Sequence, residues 1–254
     1  SRSESHGLLM NARFIQGIFD DAAGRQRYAR WGRDRFDPEQ NTSDLIAALP
    51  EWRSHGLRAF TVGFQGGGPC FTVPNPQIDC NPFGSDGSRL DPAYASRMDR
   101  LIRGADEAGM AVIVSLFYQG QVGRLEDGRA VRRAVTGASR FLKEGRYSNV
   151  IVEVANENST PPYAVHPIIH TPEGMAALID LARAESGGLP VGCSGGGGSR
   201  VVARTDFLLT YPLIFRLLAC AAVSTLFVYR APLGHRDGEA CVRAPDDRCF
   251  EENR

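Results

Sequence analysis

Short apolar runs and stretches of helical period take turns along this chain. Arg13–Phe19 (Arg-Phe-Ile-Gln-Gly-Ile-Phe) reads as a first strand, ending at Asp20 and Asp21. Asn41-Thr42-Ser43-Asp44 is a cluster of capping residues, and Leu45, Ile46, Leu49 and Trp52 follow at helical spacing until Gly56. Leu57–Phe64 is a second strand. Asp91-Pro92 opens a second helix, with proline in the first turn, where its missing N–H is harmless. Met98, Leu101, Ile102 and Ala105 form the apolar stripe of that helix, and Gly109 stops it. Met110–Phe117 reads as a third strand, Val131–Glu144 as a third helix and Asn149–Ala155 as a fourth strand. Thr171 caps a helix over Pro172–Glu185, and Leu189–Cys193 and Phe207–Tyr211 supply strands five and six. Apolar, β-branched strands of this kind are those covered on both faces. Their regular alternation with helices predicts a parallel sheet of βαβ units. The expected fold class is α/β, of the (β/α)8 TIM-barrel type, with strands one to six recognisable.

Beyond Tyr211 the pattern is lost. Pro212–Tyr229 is an almost unbroken apolar run containing Arg216, near the lower limit for a membrane span. It reads as a buried helix in preference to an anchor, because nothing else in the chain asks for a membrane. Arg230–Arg254 is charged and carries Cys241 and Cys249. Residues 1–210 are therefore expected to form the barrel domain, and 211–254 an atypical C-terminal segment. That segment is short for the rest of an eight-fold barrel, so truncation or a changed reading frame after about Thr210 is expected. Ser194–Ser199 has the composition of a flexible linker. Because Phe207–Tyr211 resumes the pattern, it is taken as the loop after strand five.

The length, 254 residues, is close to the roughly 250 typical of such a barrel. With 29 basic and 29 acidic residues, no net field favours a nucleic acid or a membrane surface, and neither is expected as a partner. The start, Ser1–His6, has no initiator Met and no apolar signal core, which reads as a processed form or a fragment. Six cysteines show no metal-ligand spacing. Cys70 and Cys80, in one Pro/Asn-rich loop, either pair in an oxidising compartment or are free thiols. His166 and His170 lie four apart, but Pro161, Pro162, Pro167 and Pro172 argue against the helix a metal pair would need. No metal and no cofactor are expected. Gly66–Gly68 lacks both phosphate-loop spacings and reads as a close-packed loop. Tyr28 and Trp31 either stack on a sugar or seal the barrel bottom.

The candidate chemistry lies in Asn149–Asn158. Glu157 follows directly on the fourth strand, and in parallel α/β barrels chemistry sits at the C-terminal strand ends. A partly desolvated carboxyl there has its pKa raised toward that of a working acid or base. A plain polar loop is the alternative. Glu153 lies four residues earlier, on the same side by strand alternation. Strand rise separates the two by roughly 13 Å, too far for a catalytic pair at about 5–5.5 Å. A charge inside an apolar strand is costly unless paired, so Glu153 is expected to be structural, held by a basic or hydroxyl group from a neighbouring strand, such as Arg58 or Ser115.

Val152-Glu153-Val154-Ala155-Asn156-Glu157 resembles the strand-four motif of the large retaining glycoside hydrolase clan that includes cellulases and β-mannanases. That pattern is aromatic or aliphatic, Glu, aliphatic, Ala or Gly, Asn, Glu, and often Pro, from which Asn158 departs. The resemblance implies that Glu157 is the acid/base, that Asn156 hydrogen-bonds a sugar 2-hydroxyl, and that the nucleophile is a Glu ending strand seven. After Glu185 the only Glu residues are Glu239, Glu251 and Glu252, and none follows a β-branched run. Two functions are therefore expected from the resemblance. One is a retaining hydrolase of β-linked saccharides; the other is an inactive carbohydrate-binding barrel fragment without the nucleophile. An oligo- or polysaccharide is the partner in both. Gln65, Tyr118 and Gln119 stand at strand ends, where they would meet it.

Overall fold

The structure is a computed structural model that describes residues 8–26, 36–66, 78–195, 204–210 and 226–230. Tyr28, Trp31, Gly67, Gly68, Cys70, residues 196–199 of the glycine-rich loop, most of the Pro212–Tyr229 run, Glu239, Cys241, Cys249, Glu251 and Glu252 lie outside the described residues.

Strands and helices alternate in the order β1 (Leu8–Arg13), α1 (Pro38–Ser54), β2 (Ala59–Gly63), α2 (Pro92–Glu107), β3 (Ala111–Phe117), α3 (Gly128–Gly145) and β4 (Val150–Ala155). They continue with α4 (Pro167–His170), α5 (Pro172–Glu185), β5 (Val191–Ser194), β6 (Phe207–Thr210) and β7 (Leu226–Arg230). Among the described residues, seven strands close into a barrel in sequence order. Neighbours from β1 to β6 are parallel. β7 closes the ring by running antiparallel to both β6 and β1. The α/β barrel expected from the alternation is thus present. The last part of the apolar run, expected to be helical, is this closing strand.

Two boundary differences from the sequence pattern bear on the ring and the first helix. The first strand ends at Arg13 rather than beginning there. Phe14–Phe19 forms turns, with the Gly17 amide donating to the Phe14 carbonyl and Phe19 to Gln16. Ile18 and Phe19 are buried from a turn, so their apolarity carries no strand period. A Cβ on Gly17 would lie 2.7 Å from Leu45 Cδ2, so glycine lets this turn lie against α1. α1 itself starts before the expected cap. Asp37 is the N-cap, accepting from the amides of Glu39 and Gln40, and Pro38 follows it. Asn41–Asp44 lies inside the helix, and Asn41 and Thr42 bond instead to the carbonyls of Gln16 and Gly17. Asp91 and Asp127 cap α2 and α3 in the same way.

The strands sort their residues by alternation. Phe60 and Val62 of β2, Val112, Val114 and Leu116 of β3, and Val152 and Val154 of β4 join the apolar core shared with the helices. The opposite set carries the buried polar groups Asn11, Thr61, Ser115, Glu153 and Ser194, beside the buried apolar Ala59 and Ile113. The main apolar core therefore lies between sheet and helices, and the barrel interior below the mouth carries a group of buried polar side chains.

Candidate active site

The site is assembled where β3, β4 and β5 end. Strand β4 stops at Ala155, and residues 156–159 form a turn. Glu157 has φ of 54°, the left-handed region that non-glycine residues seldom occupy. Strand alternation therefore does not reach Glu157; the turn sets where its carboxyl goes. Three bonds from neighbouring strand ends hold that turn. The Asn156 amide donates to the Phe117 carbonyl at the end of β3 (3.0 Å). The Glu157 amide donates to Ser194 Oγ at the end of β5 (2.8 Å). The Asn158 amide donates to the Ser194 carbonyl (2.9 Å).

Glu157 is half-buried. Burial lifts its carboxyl above the ordinary value, the Arg13 guanidinium opposes the rise, and the negative charge of Glu153 adds to it. Arg13, at the end of β1, donates to Asn156 Oδ1 (2.6 Å), which fixes that amide beside Glu157. The sequence pattern placed Arg13 at the start of a strand, far from the mouth. Its part in the site was legible only once β1 was known to end there.

Glu153 is fully buried. Neither Arg58 nor Ser115 holds it. Arg58 is exposed at the opposite end of β2, and Ser115, although in register with Glu153 on β3, does not donate to it. Ser194 Oγ from β5 donates to Glu153 Oε1 (2.6 Å). Among the described residues Glu153 Oε2 has no hydrogen-bond partner. The expected neighbouring-strand hydroxyl is present, but it comes from the strand on the other side.

The remaining expected contacts lie in the loops after β2 and β3. Gln119 is partly exposed, and its Oε1 accepts from Thr160 Oγ1 (2.6 Å), linking the loops after β3 and β4. Tyr118 is buried beside it, 8% exposed. Gln65 was expected at the saccharide, but it is 1% exposed and both ends of its amide are used inside the protein. Oε1 accepts from the Tyr118 amide (3.2 Å) and Nε2 donates to Asn81 Oδ1 (3.0 Å). It holds the loops after β2 and β3 together. Tyr163, fully buried, donates to the Phe117 carbonyl (3.0 Å), and burial pushes its phenol well above the usual range.

The side groups outside the mouth are structural. Cys80 is a buried free thiol whose Sγ donates to the Gly66 carbonyl, so it is not in a disulfide. His166 Nε2 lies 3.1 Å from the Val122 carbonyl and His170 Nδ1 lies 3.2 Å from the Asn158 carbonyl. The short helix α4 does lie between these histidines despite the prolines, because Pro167 occupies its first turn. Among the described residues no cluster of three or more His, Cys, Asp or Glu could hold a metal ion. Among them, too, no helix is long and apolar enough to cross a membrane.

No protein-family model matches the chain, and no curated protein matches it. Solved structures share the barrel. A proposed glycoside hydrolase from Bacteroides vulgatus superposes with a TM-score of 0.52 at 13% identity, over 81% of this chain and 42% of that one. An exo-β-1,4-mannosidase from an Opitutaceae bacterium gives 0.49 at 15% identity, over 79% of this chain and 37% of that one. A β-glucosidase from Thermotoga maritima gives 0.46 at 12% identity, over 76% and 50%. At 13% identity the likeness to the Bacteroides vulgatus structure is one of fold. The chain spans half or less of the length of these three structures.

Proposed function

We propose that this chain carries the acid/base side of a retaining glycoside hydrolase site acting on β-linked saccharides. The observation that carries the reading is Glu157 at the C-terminal end of β4, half-buried, with its carboxyl lifted by burial and Asn156 fixed beside it by Arg13. A carboxyl so lifted stays protonated closer to neutral pH and is suited to protonate a leaving oxygen. As its conjugate base it then activates the water that resolves a glycosyl intermediate. Asn156 is the group for a 2-hydroxyl. Tyr118 and Gln119, at the end of β3, are the neighbouring groups for the rest of the sugar. The Bacteroides vulgatus protein that shares the fold is named as a glycoside hydrolase, which agrees with this reading at the level of fold.

A second reading is favoured by one observation. Among the described residues, the carboxylate whose charge reaches Glu157 is Glu153, which is buried beneath the mouth and bonded to Ser194. It is placed to tune Glu157, not to attack a sugar. If no nucleophile stands opposite, the chain is a carbohydrate-binding barrel without turnover. Incubation with a 2-deoxy-2-fluoro-β-glycoside bearing a good leaving group separates the two. A covalent adduct mapped to a Glu other than Glu157 is expected of the hydrolase. Calorimetric binding of β-linked oligosaccharides with neither adduct nor reducing-sugar release supports the binding barrel. Absence of both binding and turnover across cello-, manno- and gluco-configured ligands overturns both.

A further inference from the structure

The turn that presents Glu157 raises a physical problem. A non-glycine residue at φ 54° is held against its own preference, at about 1 kcal/mol or more. Its amide has also left the β4 ladder, so it needs an acceptor from elsewhere. Ser194, the last residue of β5, meets both needs. Its hydroxyl accepts from the Glu157 amide at 2.8 Å, and its carbonyl accepts from the Asn158 amide at 2.9 Å. One residue thus grips two successive amides of the turn.

The direction of this grip is set from below. A serine hydroxyl has one proton and two acceptor lone pairs. Glu153 Oε1, buried 2.6 Å away, takes the proton, and only lone pairs are left to face the Glu157 amide. With the proton turned toward Glu157, the hydroxyl would oppose an N–H with an O–H. An apolar β5 residue here would leave the Glu157 amide and the Glu153 carboxyl without these bonds, and a buried orphan of either kind is costly.

We propose that Ser194 is the positioning residue of Glu157, and that Glu153 acts on Glu157 through it by fixing the orientation of the Ser194 hydroxyl. This deepens the proposed acid/base role, and only its kinetic consequence depends on that role. The placement itself is a property of the folded chain and is measurable without turnover. In Ser194→Ala the turn loses one of its two β5 bonds and relaxes toward solvent. The burial that lifts the Glu157 carboxyl then diminishes, and its titration midpoint moves down toward that of an ordinary glutamate. Ser194→Thr keeps a hydroxyl at the same place and should restore both.

The test is amide hydrogen exchange by NMR on the full chain, together with carboxyl titration of 13C-labelled glutamate, with Glu157 assigned from Glu157→Gln. Expected in Ser194→Ala are exchange at the Glu157 amide faster by tenfold or more, unchanged exchange at Val114 and Val152, and a lowered Glu157 midpoint. Ser194→Thr returns all three to parent behaviour. Unchanged exchange and midpoint at Glu157 in a folded Ser194→Ala chain overturn the proposal. Exchange accelerated equally along β3 and β4 also overturns it, because Ser194 then holds the barrel and not the turn. If Ser194→Ala does not fold, Ser194→Thr and Ser194→Cys decide. Thr must match the parent while the weaker thiol acceptor gives an intermediate rate, and parent-like exchange in Cys overturns the proposal. Where β-glycoside turnover is found, Ser194→Ala lowers kcat with KM little changed and moves the alkaline limb of the kcat/KM profile, where the general acid loses its proton, to lower pH. If no turnover is found, the acid/base reading fails on its own, and exchange still decides the role of Ser194.

Discussion

At the residue scale, two glutamates four apart are given opposite roles by their surroundings. Glu153 lies in the strand, fully buried and bonded by Ser194; Glu157 lies in the turn, half-buried and lifted chiefly by burial. Glu157→Gln is expected to leave the fold intact and to reduce any hydrolysis by about 10²–10⁴-fold, the usual share of a general acid/base. Glu153→Ala removes the acceptor of Ser194 and opens a hole in the barrel interior, so it should destabilise by about 2–4 kcal/mol. Thermal melts and reducing-sugar assays on both variants check this; a melted Glu157→Gln beside a stable Glu153→Ala would reverse the assignment. The same lift gives a pH dependence of stability. A carboxyl whose folded pKa exceeds its unfolded value of about 4.3 binds its proton more tightly in the folded state. Its contribution is complete below the unfolded pKa and is lost as pH rises through the lifted value. Glu157→Gln should therefore melt above the parent at pH 7, and that advantage should vanish at about pH 4 and below. An advantage that is the same at both pH values would mean that the ionised carboxylate is not penalised by the fold.

At the element scale, the period of the sequence located what burial on both faces dictates and missed what local chemistry dictates. Strands β2, β3 and β4 lie within two residues of their expected ends, because their helix-facing residues are apolar at every second position. Strand β1 was displaced because Ile18 and Phe19 are buried from a turn, and apolarity alone does not distinguish the two. Helix α1 was started late because Asn41–Asp44 looks like a cap; the earlier Asp37-Pro38 is the same signal that correctly opened α2 at Asp91-Pro92. The site was half legible. Glu157 and Asn156 follow directly on a readable strand, whereas Arg13 and Ser194 reach them from β1 and β5, and no spacing along the chain reports that juxtaposition. The cap assignment is open to test. Asp37→Ala should destabilise by about 1 kcal/mol, or about 2–4 °C in Tm for a domain of this size, whereas Asp44→Ala on the exposed face of α1 should change Tm little. Equal shifts would return the helix start to Asn41–Asp44.

At the scale of the whole molecule, function at the mouth depends on the ring being closed. Arg13 and Asn156 stand on strands three places apart, and their bond can form because the sheet curves round. β1 is held on one side by β2 and on the other by β7, with Leu9 paired to Val228 and Asn11 to Leu226. Val228 is also paired to Leu209 of β6, so its backbone belongs to both seams of the closing strand. Proline at this position removes an amide donor from a strand paired on both sides, a place where proline is not tolerated. Val228→Pro should therefore loosen both seams at once, lowering Tm and leaving two strand edges that pair with other copies of the chain. Freed from β7, β1 no longer holds Arg13 against Asn156. The opposing charge beside Glu157 weakens, and its carboxyl titrates at a higher pH than in the parent. Size-exclusion chromatography reads the exposed edges, and the Glu157 titration reads the mouth. A Val228→Pro chain that stays monomeric, melts as the parent does and titrates unchanged would show that β7 does not close this barrel. A chain that associates while Glu157 titrates unchanged would show that β2 alone suffices to hold Arg13 in place.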